Sequence, residues 1–101
     1  MGSIITVRKI HEIKCWPEYF YAVRFGYKTF EVRKDDRDYQ VGDGVSLFEF
    51  DPDMGVYTGE SLDRLIMYKL DGGDFGIEKG YCVFGLGQLP EGTVLNSKIF
   101  E

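Results

Sequence analysis

The sequence predicts an α+β domain: about five or six mostly antiparallel strands curled toward a small barrel, with one short helix near the N-terminus. Three observations carry this. A single stretch, opening at Trp16-Pro17-Glu18, has both the start and the stop chemistry of a helix. The other apolar residues fall into short alternating runs separated by Gly, Asp and Pro. Glycines at 42, 44, 72, 73, 85 and 87 suit the bends and bulges that let a sheet close on itself. One helix among so many strands is not the alternation of a parallel α/β fold.

In order, Ile4 to Lys14 reads as extended, with Ile5, Val7, Lys9, His11 and Ile13 on one face. Pro17 suits the first helical position and Glu18 the positive end of the helix dipole, giving a helix over Pro17 to Phe25. Tyr19, Phe20 and Val23 share its inward stripe, and Gly26 stands where a left-handed C-terminal cap is wanted. Thr29 to Lys34 is the next strand, with Phe30 and Val32 on one face and Thr29, Glu31 and Arg33 on the other. Asp35 to Asp38 is a polar loop in which Arg37 offsets the acids, and Val41 to Gly44 is a turn. Val45 to Phe50 is a strand, Asp51 to Gly55 a hairpin tip, and pairing resumes near Val56 and Tyr57. Leu62 to Leu70 follows, with Leu62, Ile66, Tyr68 and Leu70 together. After a break at 71–74, Tyr81 to Leu86 is the last clear strand, and the remainder is a tail or a short final element.

At 101 residues the chain holds one domain over 1–101. Folding at this size buries roughly 60–65% of the unfolded surface, enough for one modest core. Hydrophobic residues at 44% and charged residues at 29% are a globular balance, not a disordered one. Apolar runs are too short to span a membrane and no basic-then-apolar leader opens the chain, so the expectation is a cytoplasmic protein with no membrane partner. Cys15 and Cys82 form no CxxC, which points to reduced thiols, and the lone histidine, His11, argues against a His-rich metal site. Neither a metal nor a cofactor is expected.

The net charge of −5 hides a division. Residues 1–40 hold 8 Lys/Arg and 6 Asp/Glu, and residues 41–101 hold 4 and 11. An anionic ligand is therefore expected to meet the N-terminal part. Three motifs fail on inspection. Gly85-Leu86-Gly87 begins like a dinucleotide fingerprint but runs into Pro90. Asp51 to Gly55 lacks the third ligand of a calcium loop. The Met1-Gly2 start fits an acylation pattern with no second anchor.

The informative segment is Gly26 to Arg33. A helix ends, the chain reverses, and a strand begins with Lys28 at its mouth and Glu31 and Arg33 on one face. By strict alternation Lys28 falls on the Phe30 side, and only the preceding turn can bring it round. A cation, a carboxylate and a guanidinium around one small area suit a phosphate or a nucleobase. The bland alternative is an exposed Glu–Arg pair among solvated lysines.

The pattern Gly26-x-Lys28-x-x-Glu31-x-Arg33 after a short helix resembles the signature of the ASCH domain of the PUA-like superfamily. It is most similar to a bacterial and phage branch described as a domain of unknown function. His11 to Lys14, Trp16 to Phe20, Ala22-Val23, Phe30 to Lys34, Asp36-Arg37 and Val41 to Asp43 carry the closer likeness. Glu49 to Pro52, Tyr57 to Gly59, Gly76-Ile77 and Gly80-Tyr81 extend it, over about 9–87. The resemblance implies a PUA-like barrel that binds RNA or a nucleotide in a cleft beside the helix, lined by Lys28, Glu31 and Arg33 with Lys14 and Lys34 close by. From their own chemistry, Arg37 adds positive charge just beyond, and Trp16 offers a stacking platform. Some ASCH-like proteins are hydrolases, and an amidohydrolase branch uses the motif lysine with a threonine three residues on. Here that position is Glu31. A Lys28–Glu31 pair that activates water remains the catalytic alternative.

Other residues have structural readings beside the functional ones. His11 reads as a packed histidine, Trp16 as a plug at the barrel end, and Tyr57, Tyr68 and Tyr81 as core residues with their hydroxyls at the rim. Three functions stand: an RNA- or nucleotide-binding module, a small hydrolase on RNA or a nucleoside, and a protein-interaction domain. Neither the ligand nor the oligomeric state is legible.

Overall fold

Local chemistry sets the helix and the turns, and the strands then pair around them. The computed structural model describes residues 5–94. In chain order the elements are β1 (Ile5–Thr6), β2 (Ile10–Cys15), α1 (Pro17–Arg24), β3 (Phe30–Lys34), β4 (Gly44–Asp51), β5 (Val56–Asp71), β6 (Tyr81–Gly87) and β7 (Thr93–Val94). The Met1-Gly2 pattern and the tail beyond 94 lie outside the described residues.

Five strands form one sheet in the order β2-β4-β5-β6-β3, and β1 pairs with β7 apart from it. The ladder between β2 and β4 is parallel; β4–β5, β5–β6 and β6–β3 are antiparallel. The sheet curls into a half-barrel with α1 near the N-terminus, the expected α+β small barrel. Its two edges, β2 and β3, face each other across a seam.

Helix α1 begins with Pro17 behind Trp16, whose carbonyl accepts the N–H groups of Tyr19 and Phe20. It ends in a Schellman arrangement. Gly26, at φ 80°, donates to the Val23 carbonyl, and Tyr27 donates to that of Ala22. Phe20 and Val23 are buried beneath α1. Tyr19, expected inside with them, is half exposed. At the β4–β5 tip, Asp51 accepts the N–H groups of Asp53 and Met54, and Gly55 takes φ 70°.

The N-terminal segment is not one strand. It breaks between β1 and β2, and both Ile10 and His11 are buried. Gly44 explains the break: a Cβ there would lie 3.2 Å from Val7 and 3.3 Å from Ile10, so the bare backbone admits both. Strand β5 is also longer than expected, running 16 residues with a bulge inside it.

The core gathers Ile13, Cys15, Phe20, Val23, Tyr39, Val45, Leu47, Ile66, Cys82 and Phe84, with Leu62 and Leu86 against it. Tyr57, Tyr68 and Tyr81, expected in the core, are exposed. For Tyr68 the reason is a bulge. Ile66 pairs with Leu86 and Tyr68 with Gly85, so Met67 is an extra residue that turns the following side chains over. The acid loop differs too. Asp35 pairs with Lys69 at 3.1 Å, and Arg37 donates to the Glu12 carbonyl of β2.

Candidate functional site

The turn after α1 brings Lys28 round. Its N–H donates to the Ala22 carbonyl at 2.9 Å, fixing its backbone against the end of the helix. Its ammonium then reaches Glu31, Nζ to Oε1 at 2.5 Å, and sits over the rings of Tyr19 and Phe30 at 5.6 and 5.4 Å. On β3 the alternation is inverted relative to a typical surface strand. Phe30 and Val32 are about half exposed, whereas Glu31 is 3% exposed. Arg33 Nε donates to Glu31 Oε2 at 2.9 Å. Glu31 is therefore a buried carboxylate between two cations and not one half of a surface pair.

The guanidinium of Arg33 also reaches across the seam. Its Nη2 donates to the Lys14 carbonyl at 2.8 Å, and Arg37 Nη1 donates to the Glu12 carbonyl at 2.6 Å. Both acceptors lie on β2, an edge strand of the sheet, whose outward carbonyls need partners. Two arginines thus do for the seam what a ladder would do in a closed barrel.

An open cleft of about 600 Å³ lies at one end of the seam. Lys28, Glu31 and Arg33 form its charged floor. Trp16, Tyr19 and Val32 form its walls, and Lys14 and Cys15 close the β2 side. Trp16 is 50% exposed and Tyr19 48%, so the Trp16 ring stands in the cleft and does not plug the barrel end. Lys14 extends over the Phe50 ring at 4.2 Å. Burial, reinforced by the Glu31 charge, raises the Cys15 thiol to about 11, so it stays protonated and is no nucleophile near neutrality. A second cleft of about 650 Å³, further along the seam, holds Arg37.

Five of the seven residues singled out from the sequence thus line one cleft: Lys14, Trp16, Lys28, Glu31 and Arg33. Arg37 lines the neighbouring one, which shares Lys14. Lys34 stands apart, exposed on the β3 face that carries Phe30 and Val32. Tyr19, Val32 and Tyr57 also line the clefts, although their pattern in the sequence does not mark them as site residues. Tyr19, expected in the core stripe, instead lines the cleft beside Trp16, the extended residue that precedes the helix. Tyr57, in the second cleft, was also assigned to the core.

His11 is structural. Its Nε2 lies 2.8 Å from Asp43 Oδ2, and its ring packs on Tyr39 at 4.6 Å. Asp43, read from the sequence only as turn chemistry, is 1% exposed and accepts from Arg8 twice, at 3.0 and 2.9 Å, and from the Gln40 N–H at 3.1 Å. Among the described residues, no three His, Cys, Asp or Glu side chains gather as a metal site requires, and no helix is long and apolar enough to cross a membrane.

A family model described as a domain of unknown function, DUF3850, matches residues 10–86, which contain every residue lining the two clefts. An "uncharacterized 12.9 kDa protein in GpA 3'region" of Escherichia phage P2 is 43% identical over 58 residues. Those residues are 57% of this chain and 51% of the phage protein, so the chain spans about half the length of that curated relative.

Proposed function

The chain belongs to the DUF3850 family, and on that premise we propose that it is an RNA- or nucleotide-binding module whose ligand enters the cleft beside α1. One observation carries the reading: a buried carboxylate, Glu31, lies between Lys28 and Arg33 beneath the half-exposed rings of Trp16 and Tyr19. An ionised carboxylate has about four lone-pair positions, and Lys28 and Arg33 take one on each oxygen. The remaining positions suit the amine edge of a base. Trp16 supplies a stacking surface of the kind that contributes ~1–3 kcal/mol per base. Lys14, Lys28 and Arg33 supply the charge for an adjoining phosphate, with Arg37 further along the seam. The wider assignment belongs to the same proposal: residues 1–101 act as one ASCH-like domain of the PUA-like superfamily, which the curled sheet and the cleft beside α1 support.

The test is titration of nucleoside monophosphates and a labelled single-stranded RNA, read by Trp16 fluorescence and by anisotropy, followed by a gel of the RNA. Trp16 is the sole tryptophan and lines the cleft, so it reports directly. Binding that falls at least tenfold in Arg33→Ala and Glu31→Gln, with intact RNA, is the expected result. Cleaved RNA, with turnover lost in Glu31→Gln, would replace binding by hydrolysis with Glu31 as base and Lys28 stabilising the oxyanion. No binding of any nucleotide or RNA at low salt would overturn the proposal and leave a protein partner.

A further inference from the structure

The two clefts share Lys14 and lie along one seam. What divides them is the pair of arginine bridges to β2. Arg33 is bonded to the Lys14 carbonyl and Arg37 to the Glu12 carbonyl, two residues apart on one strand. Two residues of a strand span about 6.6 Å, so the guanidiniums form a short cationic ladder across the seam. Each has N–H groups beyond those used in the bridge, since a guanidinium carries five donors.

The second cleft has its own ligand chemistry. Tyr57 and Phe48 form one side, Arg37 and Asp36 another, and Glu12 and Lys14 follow the β2 edge. Tyr57 is 57% exposed, and its ring meets Phe50 edge-on at 5.0 Å. Phe50 in turn carries the Lys14 ammonium on its face. Within this cleft Glu12 and Asp36 offset Lys14 and Arg37, and the surplus of positive charge lies where it meets the first cleft, whose Lys14, Lys28 and Arg33 face one acid, Glu31. That disfavours a phosphate as the occupant of the second cleft and favours an uncharged, flat, donor-bearing group. The arginine ladder lies along the seam that joins this cleft to the first, with Arg33 lining one and Arg37 the other.

We propose that the seam is a two-subsite groove for a single-stranded segment of at least two nucleotides. One base stands against Trp16 and Tyr19, the next against Tyr57, and the connecting phosphate lies on Lys14, Arg33 and Arg37. The proposal rests on the nucleotide reading of the first cleft and extends it from a single base to a strand. It also sets the salt response. One phosphate neutralised on a single strand gives a slope of about −0.7 in log K against log salt, so affinity falls about threefold between 50 and 200 mM.

The experiment compares a mononucleotide with the dinucleotide extended by one residue on either side, read by Trp16 fluorescence on wild type, Tyr57→Ala and Arg37→Ala. Thermal melts of each variant establish that it is folded. One of the two dinucleotides is expected to bind at least tenfold more tightly than the mononucleotide, and Tyr57→Ala to remove most of that gain. Tyr57 is exposed, so its truncation leaves the core intact. A mononucleotide that binds as tightly as either dinucleotide, or a gain that survives in Tyr57→Ala, would overturn the second subsite while leaving the first cleft's role standing. If no nucleotide of any length binds, the underlying reading fails with it. A salt slope of several units would also overturn the proposal, because it requires more phosphate contacts than the seam offers.

Discussion

Among the described residues two carboxylates, Asp43 and Glu31, are buried and held by cationic donors, and their surroundings differ. Asp43 accepts four hydrogen bonds, from Arg8, His11 and the Gln40 N–H, and its own turn and β2 close over it. Glu31 accepts from Lys28 and Arg33, and its donors stand in an open cleft at 19% and 27% exposure. Saturation is what separates them. Asp43 accepts four hydrogen bonds within the fold, whereas Glu31 accepts two, from side chains that themselves face the cleft. Burial alone thus does not tell the two carboxylates apart; the number of donors on each and what those donors face do.

Neutralising the saturated carboxylate is expected to have the largest effect. Asp43→Asn leaves a buried histidine and a backbone N–H mismatched and is expected to cost about 3–5 kcal/mol. For a domain of this size the melting temperature should fall by more than about 10 °C. A shift under a few degrees would mean that Asp43 is not the structural centre its contacts imply. Glu31→Gln is the counterpart. Lys28 and Arg33 can turn to water, so stability should drop by only about 1–2 kcal/mol while nucleotide affinity falls at least tenfold. Equal stability losses in the two variants would erase the distinction.

The thiols give an alkaline test. Burial, with the nearby Asp35 charge, raises Cys82 to about 11, as burial and Glu31 raise Cys15. The folded state therefore holds these protons more tightly than the unfolded chain, whose thiols titrate near 9. The stability they contribute is present in full below pH 9 and is lost as pH rises toward 11. Denaturant midpoints across that range should fall steadily. Midpoints that hold steady to pH 11 would show that the thiols titrate alike in both states. The smallest effect links thiol to cleft. In Glu31→Gln the Cys15 thiol should titrate lower than in wild type, because one raising charge is gone while Lys28 and Arg33 remain. It should still lie above 9, because burial is the larger cause. The pH dependence of alkylation in a Cys82→Ser background reads it.

Features made by neighbours in the chain are legible in the sequence. Pro17 and Gly26 bound the helix, Asp51 to Gly55 makes the hairpin tip, and the spacing of Lys28, Glu31 and Arg33 marks the cleft floor. Features made by strand partners are not. Tyr68 faces outward because β6 offers one residue where β5 offers two. Asp43 looked like an ordinary turn acid because Arg8, His11 and Gln40 converge on it only in the fold. Tyr19 was misassigned because three adjacent apolar positions on a short helix fit more than one stripe. The meeting of β2 and β3 depends on the curl of the whole sheet, which no local pattern encodes.

The route of β3 through the sheet also bears on the order of assembly. Its partner is β6, with Glu31 opposite Phe84, whereas the β4–β5 hairpin closes between Asp51 and Val56. Closing a loop about ten times longer costs about 2 kcal/mol more in chain entropy. The hairpin is therefore expected to form early, and the strand bearing Glu31 and Arg33 to be laid down late. Trp16 fluorescence in a stopped-flow refolding experiment should then lag behind the far-ultraviolet signal of the sheet; simultaneous traces would contradict that order. A binding-competent cleft would in that case certify a finished molecule, since partly folded chains would lack the surface on which a ligand could be captured.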